Sequence, residues 1–187
     1  MVRVPILIDT SVVLNLLATG VGIAVIESLE VDCLVCSAVQ SETLYVRSDD
    51  PAQPREAVSI DPWLQSGSVR IANPESPLEE ELYVQFAMDL DDGEAMSLAI
   101  CHARGYAFAT DDRKARRIAS ELSSPPVPLV STAEIVHHWA GRTSAGPDEL
   151  RRLLAAIELR ARFIPRHDDP LREWWIHGRS EAASGEI

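Results

Sequence analysis

The sequence predicts an α/β protein in which helices cover both faces of a parallel sheet. Apolar runs without a polar face occur at residues 4–8 and 33–37, as expected of strands that are buried on both sides. Shorter strands are predicted at 69–72 and 106–110, and helical segments lie between the strands. This alternation is typical of a parallel sheet with crossover helices.

The helices are predicted from the spacing of apolar residues and from residues that favour helix ends. The first follows the first strand and has Thr10 or Ser11 as its cap. Pro62 interrupts a weaker helical segment at 55–65. The full set of predicted helices is 12–18, 23–29, 38–47, 55–65, 78–88, 92–104, 113–122, 132–141 and 150–163.

The chain of 187 residues is long enough for one domain with an appendage. We expect a domain at 1–141 and a C-terminal helical extension and tail at 142–187, with a linker at 142–149. The apolar fraction is 46%, and no apolar run approaches the roughly 20 residues that span a bilayer. The opening segment does not resemble a signal peptide, so a cytoplasmic location is expected.

Cysteine content and net charge exclude several classes of protein. Cys33, Cys36 and Cys101 are too few for a disulfide framework, and they are interpreted as buried, inert thiols. No clustered His or second Cys pair completes a zinc site. The formal net charge of −12 argues against nucleic-acid binding by bulk electrostatics, although it leaves room for a local basic patch.

Acidic residues fall where predicted strands give way to helices. Asp9 ends the first strand, Glu42 lies in the helix predicted after the second, and Glu94 opens the helix at 92–104. Asp111 and Asp112 come directly after the strand at 106–110. Because the carboxyl ends of parallel strands meet at one crevice, these acids are expected to converge. Carboxylates at close range repel one another, so the cluster predicts a hard cation, Mg²⁺ or Mn²⁺.

Each acid also has a plain structural interpretation. Asp9 is a good helix N-cap, and Asp111 or Asp112 can cap the helix that follows. Glu42 is compatible with a solvated helix face, and Glu94 suits the first turn of a helix. These interpretations are weaker for the whole set of acids than for each acid alone, because separate and unrelated causes would have to place acids at successive strand ends.

Four segments together carry a family resemblance. They are I-D-T-S-V-V-L at 8–14, S-E-T-L at 41–44, G-E-A-x-x-L-A-x-x-x-x-x-G at 93–105 and A-T-D-D-R-x-A-R-x-I-A at 109–119. In this order, over roughly residues 4–140, the chain resembles a PIN domain. The resemblance implies a Rossmann-like three-layer α/β/α sandwich with a small parallel sheet, and a metal-dependent ribonuclease. Many small members are VapC-like toxins of toxin–antitoxin pairs.

The resemblance also implies roles for individual residues. Asp9, Glu42, Glu94 and Asp112 match the acidic quartet that is catalytic and binds Mg²⁺ or Mn²⁺. Glu94 stands where the family often has Asp, and Asp111 is adjacent to the fourth acid and is included among the metal ligands. The hydroxyls of Ser11 and Thr110 are expected to contact a metal-bound water or a quartet carboxylate, and both residues are assigned to substrate binding.

Basic residues and partners complete the prediction. Arg113, Arg116 and Arg117 share one face of the helix at 113–122 and are expected either to hold phosphates of RNA or to form a solvated face. By analogy with the family, the partners are an RNA substrate, a second copy of the chain and, for a toxin, an antitoxin protein.

Two rival functions remain open on the sequence. A phosphatase or receiver-type α/β domain also places an Asp at a strand end with Mg²⁺, but Asp9 is followed by Thr10 and Ser11 rather than by the D-x-D signature. A non-catalytic protein- or RNA-binding module of the same fold is the second rival, and the complete quartet argues against it.

Overall fold

Five parallel strands form the centre of the protein. The structure, a computed structural model, describes residues 3–42, 44–48, 50–122 and 124–180. Within them the main sheet has the strand order β5-β2-β1-β6-β7. Its members are β1 (Ile6–Ile8), β2 (Cys33–Cys36), β5 (Arg70–Ala72), β6 (Ala107–Ala109) and β7 (Leu129–Val130). A separate antiparallel hairpin consists of β3 (Leu44–Arg47) and β4 (Arg55–Val58).

Helices cover both faces of this sheet. The bounds are α1 (Thr10–Ala18), α2 (Gly22–Glu27), α3 (Ser37–Ser41), α4 (Asp61–Ser66), α5 (Pro77–Phe86), α6 (Asp92–Arg104), α7 (Arg113–Glu121), α8 (Thr132–Thr143), α9 (Pro147–Ala156) and α10 (Arg172–Ser180). Helix α6 packs on β1, β2 and β6 and also against α3 and α5, whereas α1, α2 and α8 pack together. The predicted three-layer α/β/α sandwich with C-terminal helices is therefore confirmed.

The central strand places the first acid at the middle of the sheet. All three residues of β1 are fully buried, and β1 pairs with β2 on one side and β6 on the other. Both neighbours are parallel to it, so their carboxyl ends lie at the same edge. The residues that follow β1, β2 and β6 are thus brought to one crevice, as the sequence predicted.

The predicted helix at 38–47 is wrong beyond Ser41. Residues Leu44–Arg47 instead alternate between buried and exposed and pair with Arg55–Val58 in the hairpin. The predicted helix at 55–65 is likewise wrong at its start, because Arg55–Val58 is a strand and the helix begins at Asp61. Cross-strand pairing between the two segments, which local propensity does not reveal, decides both cases.

A second correction concerns the end of the sheet. Leu129–Val130, to which the sequence analysis assigned no element, forms the short parallel strand β7 beside β6. Helix α8 then begins with a reciprocal capping box, in which Ser131 accepts a hydrogen bond from the Glu134 backbone N–H and Glu134 accepts one from that of Ser131.

The C-terminal extension packs on the rest of the protein. Helix α9 continues directly into a π-helical turn, Ile157–Ala161, which contacts α1 and β3. Because α8 runs to Thr143 and α9 starts at Pro147, the predicted linker at 142–149 is shorter than expected. Trp175 of α10 is fully buried, and its Nε1 donates to Glu158 Oε1 at 2.8 Å. Residues 181–187 of the predicted tail lie outside the described residues.

The three cysteines are free and buried, as predicted. Burial raises the pKa of Cys33 to about 12 and also raises the pKa of Cys36 and Cys101. Thiols that stay protonated at neutral pH are poor nucleophiles and poor metal ligands. Across the described ranges, no helix combines the length and apolarity needed to cross a membrane.

Candidate functional site

Asp9 lies at the carboxyl end of β1 and is only 2% exposed. It occupies the N-cap position of α1, yet its side chain makes no capping hydrogen bond. Instead Oδ2 accepts hydrogen bonds from Ser11 Oγ at 3.0 Å and Thr110 Oγ1 at 3.1 Å. Burial raises the pKa of Asp9, and these hydroxyls offset the shift only in part. The plain interpretation of Asp9 as a helix cap is therefore not supported.

Glu42 reaches the same crevice from the end of α3. Its backbone is extended, and Oε1 accepts a hydrogen bond from Thr10 Oγ1 at 3.0 Å. A Cβ atom on Gly93, in the first turn of α6, would lie 3.1 Å from Glu42 Oε1. Partial burial of the carboxylate raises the pKa of Glu42, and the nearby charges of Asp91 and Asp9 raise it further. The absence of a side chain at Gly93 makes room for this carboxylate.

Glu94 approaches the crevice from the N-terminal end of α6. It forms a capping box with Asp91: Asp91 Oδ1 accepts from the Glu94 backbone N–H at 2.8 Å, and Glu94 Oε2 accepts from that of Asp91 at 3.4 Å. Burial raises the pKa of Glu94 to about 7, with additional contributions from Asp91, Asp112 and Asp9. The second of the two capping bonds is long, so it stabilises the ionised carboxylate only a little, and the neighbouring negative charges make Glu94 hold its proton more tightly.

Asp91 is a site residue that the sequence analysis missed. It lines the same cleft as Asp9, Glu42 and Glu94. The signal was present, because Asp91 and Glu94 have the D-x-x-E spacing of a capping box at the start of an apolar helix.

Asp111 and Asp112 are adjacent but differ in how many of their carboxylate oxygens accept hydrogen bonds. Both oxygens of Asp111 are occupied: Oδ1 accepts from the Thr132 backbone N–H at 3.0 Å, and Oδ2 accepts from Thr132 Oγ1 at 2.6 Å and Asn15 Nδ2 at 2.9 Å. Asp112 caps α7 through Oδ1, which accepts from the backbone N–H groups of Lys114 at 2.7 Å and Ala115 at 2.9 Å. Among the described residues, no donor is found for Asp112 Oδ2.

The two predicted hydroxyl residues contact the acids. Besides their bonds to Asp9, Ser11 Oγ accepts from the Asp111 backbone N–H at 3.2 Å, and Thr110 Oγ1 accepts from that of Asp112 at 3.1 Å. Each hydroxyl thus connects the end of β1 with the end of β6. Their position orients the carboxylates of the crevice.

The three predicted arginines of α7 are placed outside the acidic cleft. Arg116 donates to the backbone carbonyls of Thr110 at 2.9 Å and Val130 at 3.3 Å. Arg117 pairs with Glu121 on the exposed face of α7 at 2.9 Å. Arg113 is exposed and lines a neighbouring groove of about 370 Å³.

One basic residue that the sequence analysis did not single out as a site residue does line the cleft. Arg162 follows the π-helical turn in the left-handed conformation, with φ of 61°, which is uncommon for a residue with a side chain. Among the described residues that line the cleft it is the one with a positive charge, and no hydrogen bond or ion pair of its guanidinium is found within those residues. Only the packing of the C-terminal segment on α1 brings it there.

The cleft suits a hard cation. It is open, has a volume of about 470 Å³ and is lined by the acids Asp9, Glu42, Asp91, Glu94, Asp111 and Asp112. Carboxylate oxygens are the donors that Mg²⁺ and Mn²⁺ prefer. No three His, Cys, Asp or Glu side chains within the described ranges stand at metal-binding distances from one another. The fit therefore rests on the chemistry of the donors alone.

Fold and cleft together define a parallel α/β domain with a carboxylate-lined crevice at the carboxyl ends of its central strands. A family model described as a PIN domain matches residues 5–163. The match covers most of the chain, so this chain belongs to the PIN-domain family. PIN domains are in general nucleases that use divalent metal ions. No curated protein and no solved structure matches the chain.

Proposed function

We propose that this protein is a metal-dependent ribonuclease that cleaves RNA phosphodiester bonds at the acidic cleft. The observation that carries the proposal is the burial of Asp9 at the end of the central strand without a basic partner among the described residues, beside further carboxylates. A buried carboxylate is costly unless a positive charge compensates it. A divalent ion supplies this charge.

Each residue has a role in this proposal. Asp9, Glu42, Glu94 and Asp112 hold Mg²⁺ or Mn²⁺, and Asp112 uses Oδ2 because Oδ1 caps α7. The bound ion would polarise the scissile phosphate and lower the pKa of the attacking water. Ser11 and Thr110 orient Asp9, as their hydrogen bonds to Oδ2 suggest. Asp111 joins β6 to α1 and α8 through its hydrogen bonds, and its role as an additional ligand stays a prediction.

The test is a cleavage assay on structured and unstructured RNA with Mn²⁺ or Mg²⁺, and with a chelator as the metal-free control. Asp9→Asn should lower metal-dependent cleavage about a thousandfold, because a divalent ion supplies several kcal/mol of charge stabilisation. Its melting temperature in chelator should not fall, since the substitution removes a buried charge. The matched control is Asp32→Asn, an exposed aspartate that pairs with Arg70 away from the cleft. It should cleave as the wild type does.

Two results would contradict the proposal. Full metal-dependent cleavage by Asp9→Asn would show that the site lies elsewhere. A melting temperature that rises with Mn²⁺ in the wild type but not in Asp9→Asn, without cleavage of any RNA, would instead identify a non-catalytic, metal-binding module.

The family resemblance supports more specific expectations. We propose that the protein acts in the cytoplasm as a homodimer and, as the toxin of a toxin–antitoxin pair, is neutralised by an antitoxin protein. Arrest of growth on expression, relieved by Asp9→Asn, supports the toxin role.

A further inference from the structure

We infer that the β3–β4 hairpin and the end of the π-helical turn form a groove that binds the phosphate backbone of single-stranded RNA beside the acidic cleft. The residues that carry this inference are Tyr45, Arg47, Arg55 and Arg162. The groove has a volume of about 330 Å³. The identity of the ligand rests on the proposed function, whereas the groove itself rests on the geometry described below.

The hairpin holds two arginines directly opposite each other. Arg47 of β3 is in register with Arg55 of β4, so both side chains project from the same face of the hairpin. Like charges at such a position destabilise a pair of strands. Both residues are exposed, and neither guanidinium has a hydrogen bond or ion pair with any other described residue. An anion bound between them would remove this repulsion.

Glu56, the neighbour of Arg55 in β4, does not neutralise the two arginines. Glu56 lies between Arg55 and Ala57 in β4 and therefore projects from the opposite face of the hairpin. Its carboxylate accepts a hydrogen bond from Arg160 at 2.5 Å. Among the described residues that line the groove there are four arginines, Arg47, Arg55, Arg160 and Arg162, and no acid.

Arg160 fixes the hairpin in place. Its guanidinium donates to the Ala18 carbonyl at the end of α1 at 2.9 Å as well as to Glu56. The hairpin is thus connected both to α1 and to the π-helical turn. The backbone that carries Arg47 and Arg55 is therefore held in a defined position and loses less entropy on binding.

The groove continues into the acidic cleft. Leu14, Ala161 and Arg162 line both. Arg162, with its left-handed backbone, stands at the junction between the basic and the acidic part. A backbone that runs along Arg47 and Arg55 would therefore enter the cleft past Arg162.

Single-stranded RNA fits this surface better than a protein segment does. Proteins that bind single strands combine a positive groove with aromatic side chains on which bases stack. Tyr45 lines the groove and is 50% exposed. It lies on the same face as Arg47, two residues away in β3. Because the chain as a whole carries a charge of −12, a local patch is required for any polyanion to bind.

The experiment measures the anisotropy of a labelled single-stranded RNA in chelator, so that binding is observed without metal-dependent cleavage. The double variant Arg47→Gln/Arg55→Gln should weaken binding at least about tenfold and reduce the slope of log K against log salt by about 1.4, since two phosphate contacts are lost. The matched control is Arg70→Gln/Arg142→Gln, which removes the same charge from arginines paired with Asp32 and Glu30. The control should change binding less than twofold.

The outcomes are distinguishable from those of the cleavage assay. Unchanged binding by Arg47→Gln/Arg55→Gln, or equal weakening by both double variants, overturns the groove even if Asp9→Asn abolishes cleavage. Arginine-dependent binding by a protein that cleaves no RNA supports the groove and contradicts the nuclease. A labelled polyglutamate peptide that binds as tightly as RNA, with the same dependence on Arg47 and Arg55, assigns the groove to an acidic protein and overturns the RNA ligand.

Discussion

The carboxylates near the two ends of helix α6 have pKa values that are shifted in opposite directions. Near the C-terminal end of α6, Arg104 donates two hydrogen bonds to Glu79 of α5: Nε to Oε1 at 2.6 Å and Nη2 to Oε2 at 3.0 Å. Glu79 is 3% exposed, and its hydrogen bonds with Arg104 lower its pKa. At the N-terminal end of α6, Asp9 is equally buried, at 2%, but burial raises its pKa, as it raises that of Glu94 to about 7.

Burial alone therefore does not distinguish an acid with a lowered pKa from one with a raised pKa. Glu79 has a guanidinium of its own and is electrostatically complete. Asp9 and Glu94 face other carboxylates, and among the described residues neither forms an ion pair with a basic side chain. This contrast is the strongest physical argument for a cation at the cleft.

The largest effect on stability is expected from breaking the pair at the C-terminal end of α6. Arg104→Met leaves Glu79 buried without a positively charged partner and should lower the free energy of unfolding by about 3 kcal/mol. Denaturation in urea measures this loss of unfolding free energy. Arg70→Met, which breaks an exposed pair with Asp32, is the control and should cost less than about 1 kcal/mol. Equal losses in the two variants would refute the distinction drawn between the buried and the exposed pair.

A smaller, pH-dependent effect is expected at the other end. The pKa of Glu94 is about 7 in the folded protein, against 4.5 for an unperturbed Glu, so the folded state binds this proton more tightly than the unfolded state does. Its contribution to the free energy of unfolding is present in full below pH 4.5 and is lost as the pH rises to about 7.

Denaturation of the metal-free protein between pH 4.5 and about 7 tests whether the free energy of unfolding falls as the pH rises. In Glu94→Gln the decline in stability with pH should be shallower than in the wild type. Added Mg²⁺ or Mn²⁺ should likewise reduce the decline in the wild type, because a cation stabilises the ionised carboxylate. An identical pH profile for wild type and Glu94→Gln would show that this carboxyl is not perturbed.

The smallest effect is expected from Gly93→Ala. The new Cβ would lie 3.1 Å from Glu42 Oε1, so the carboxylate must shift by a few tenths of an ångström. Cleavage should fall by up to about tenfold, since a 1 Å misplacement can cost on the order of 100-fold. Stability should not fall, because Ala favours helices over Gly by about 1 kcal/mol. Gly141→Ala in α8, where a Cβ meets nothing within 4 Å, is the matched control for cleavage.

The contribution of sequence and of structure can be compared residue by residue. The acids Asp9, Glu42, Glu94 and Asp112 were predicted to converge, and the structure places all four around one cleft. Their roles as metal ligands stay predictions, as does the division of the chain at residue 142. Asp91 was missed although its spacing from Glu94 is visible in the sequence. The hairpin that carries Arg47 and Arg55 was predicted as helix.

The sequence by itself determined the succession along the chain of β1, β2, β5, β6 and most of the helices, and the positions of Asp9 and Asp112 just after a strand. These features depend on apolar periodicity and helix capping, which act over a few neighbouring residues. Tertiary structure decided which carboxylate oxygens lack a hydrogen-bond donor and which arginine lies beside the acids. Asp111 is occupied by Thr132 and Asn15, and Arg162 reaches the cleft from the C-terminal extension. Contacts between remote segments set both, and no local pattern encodes them.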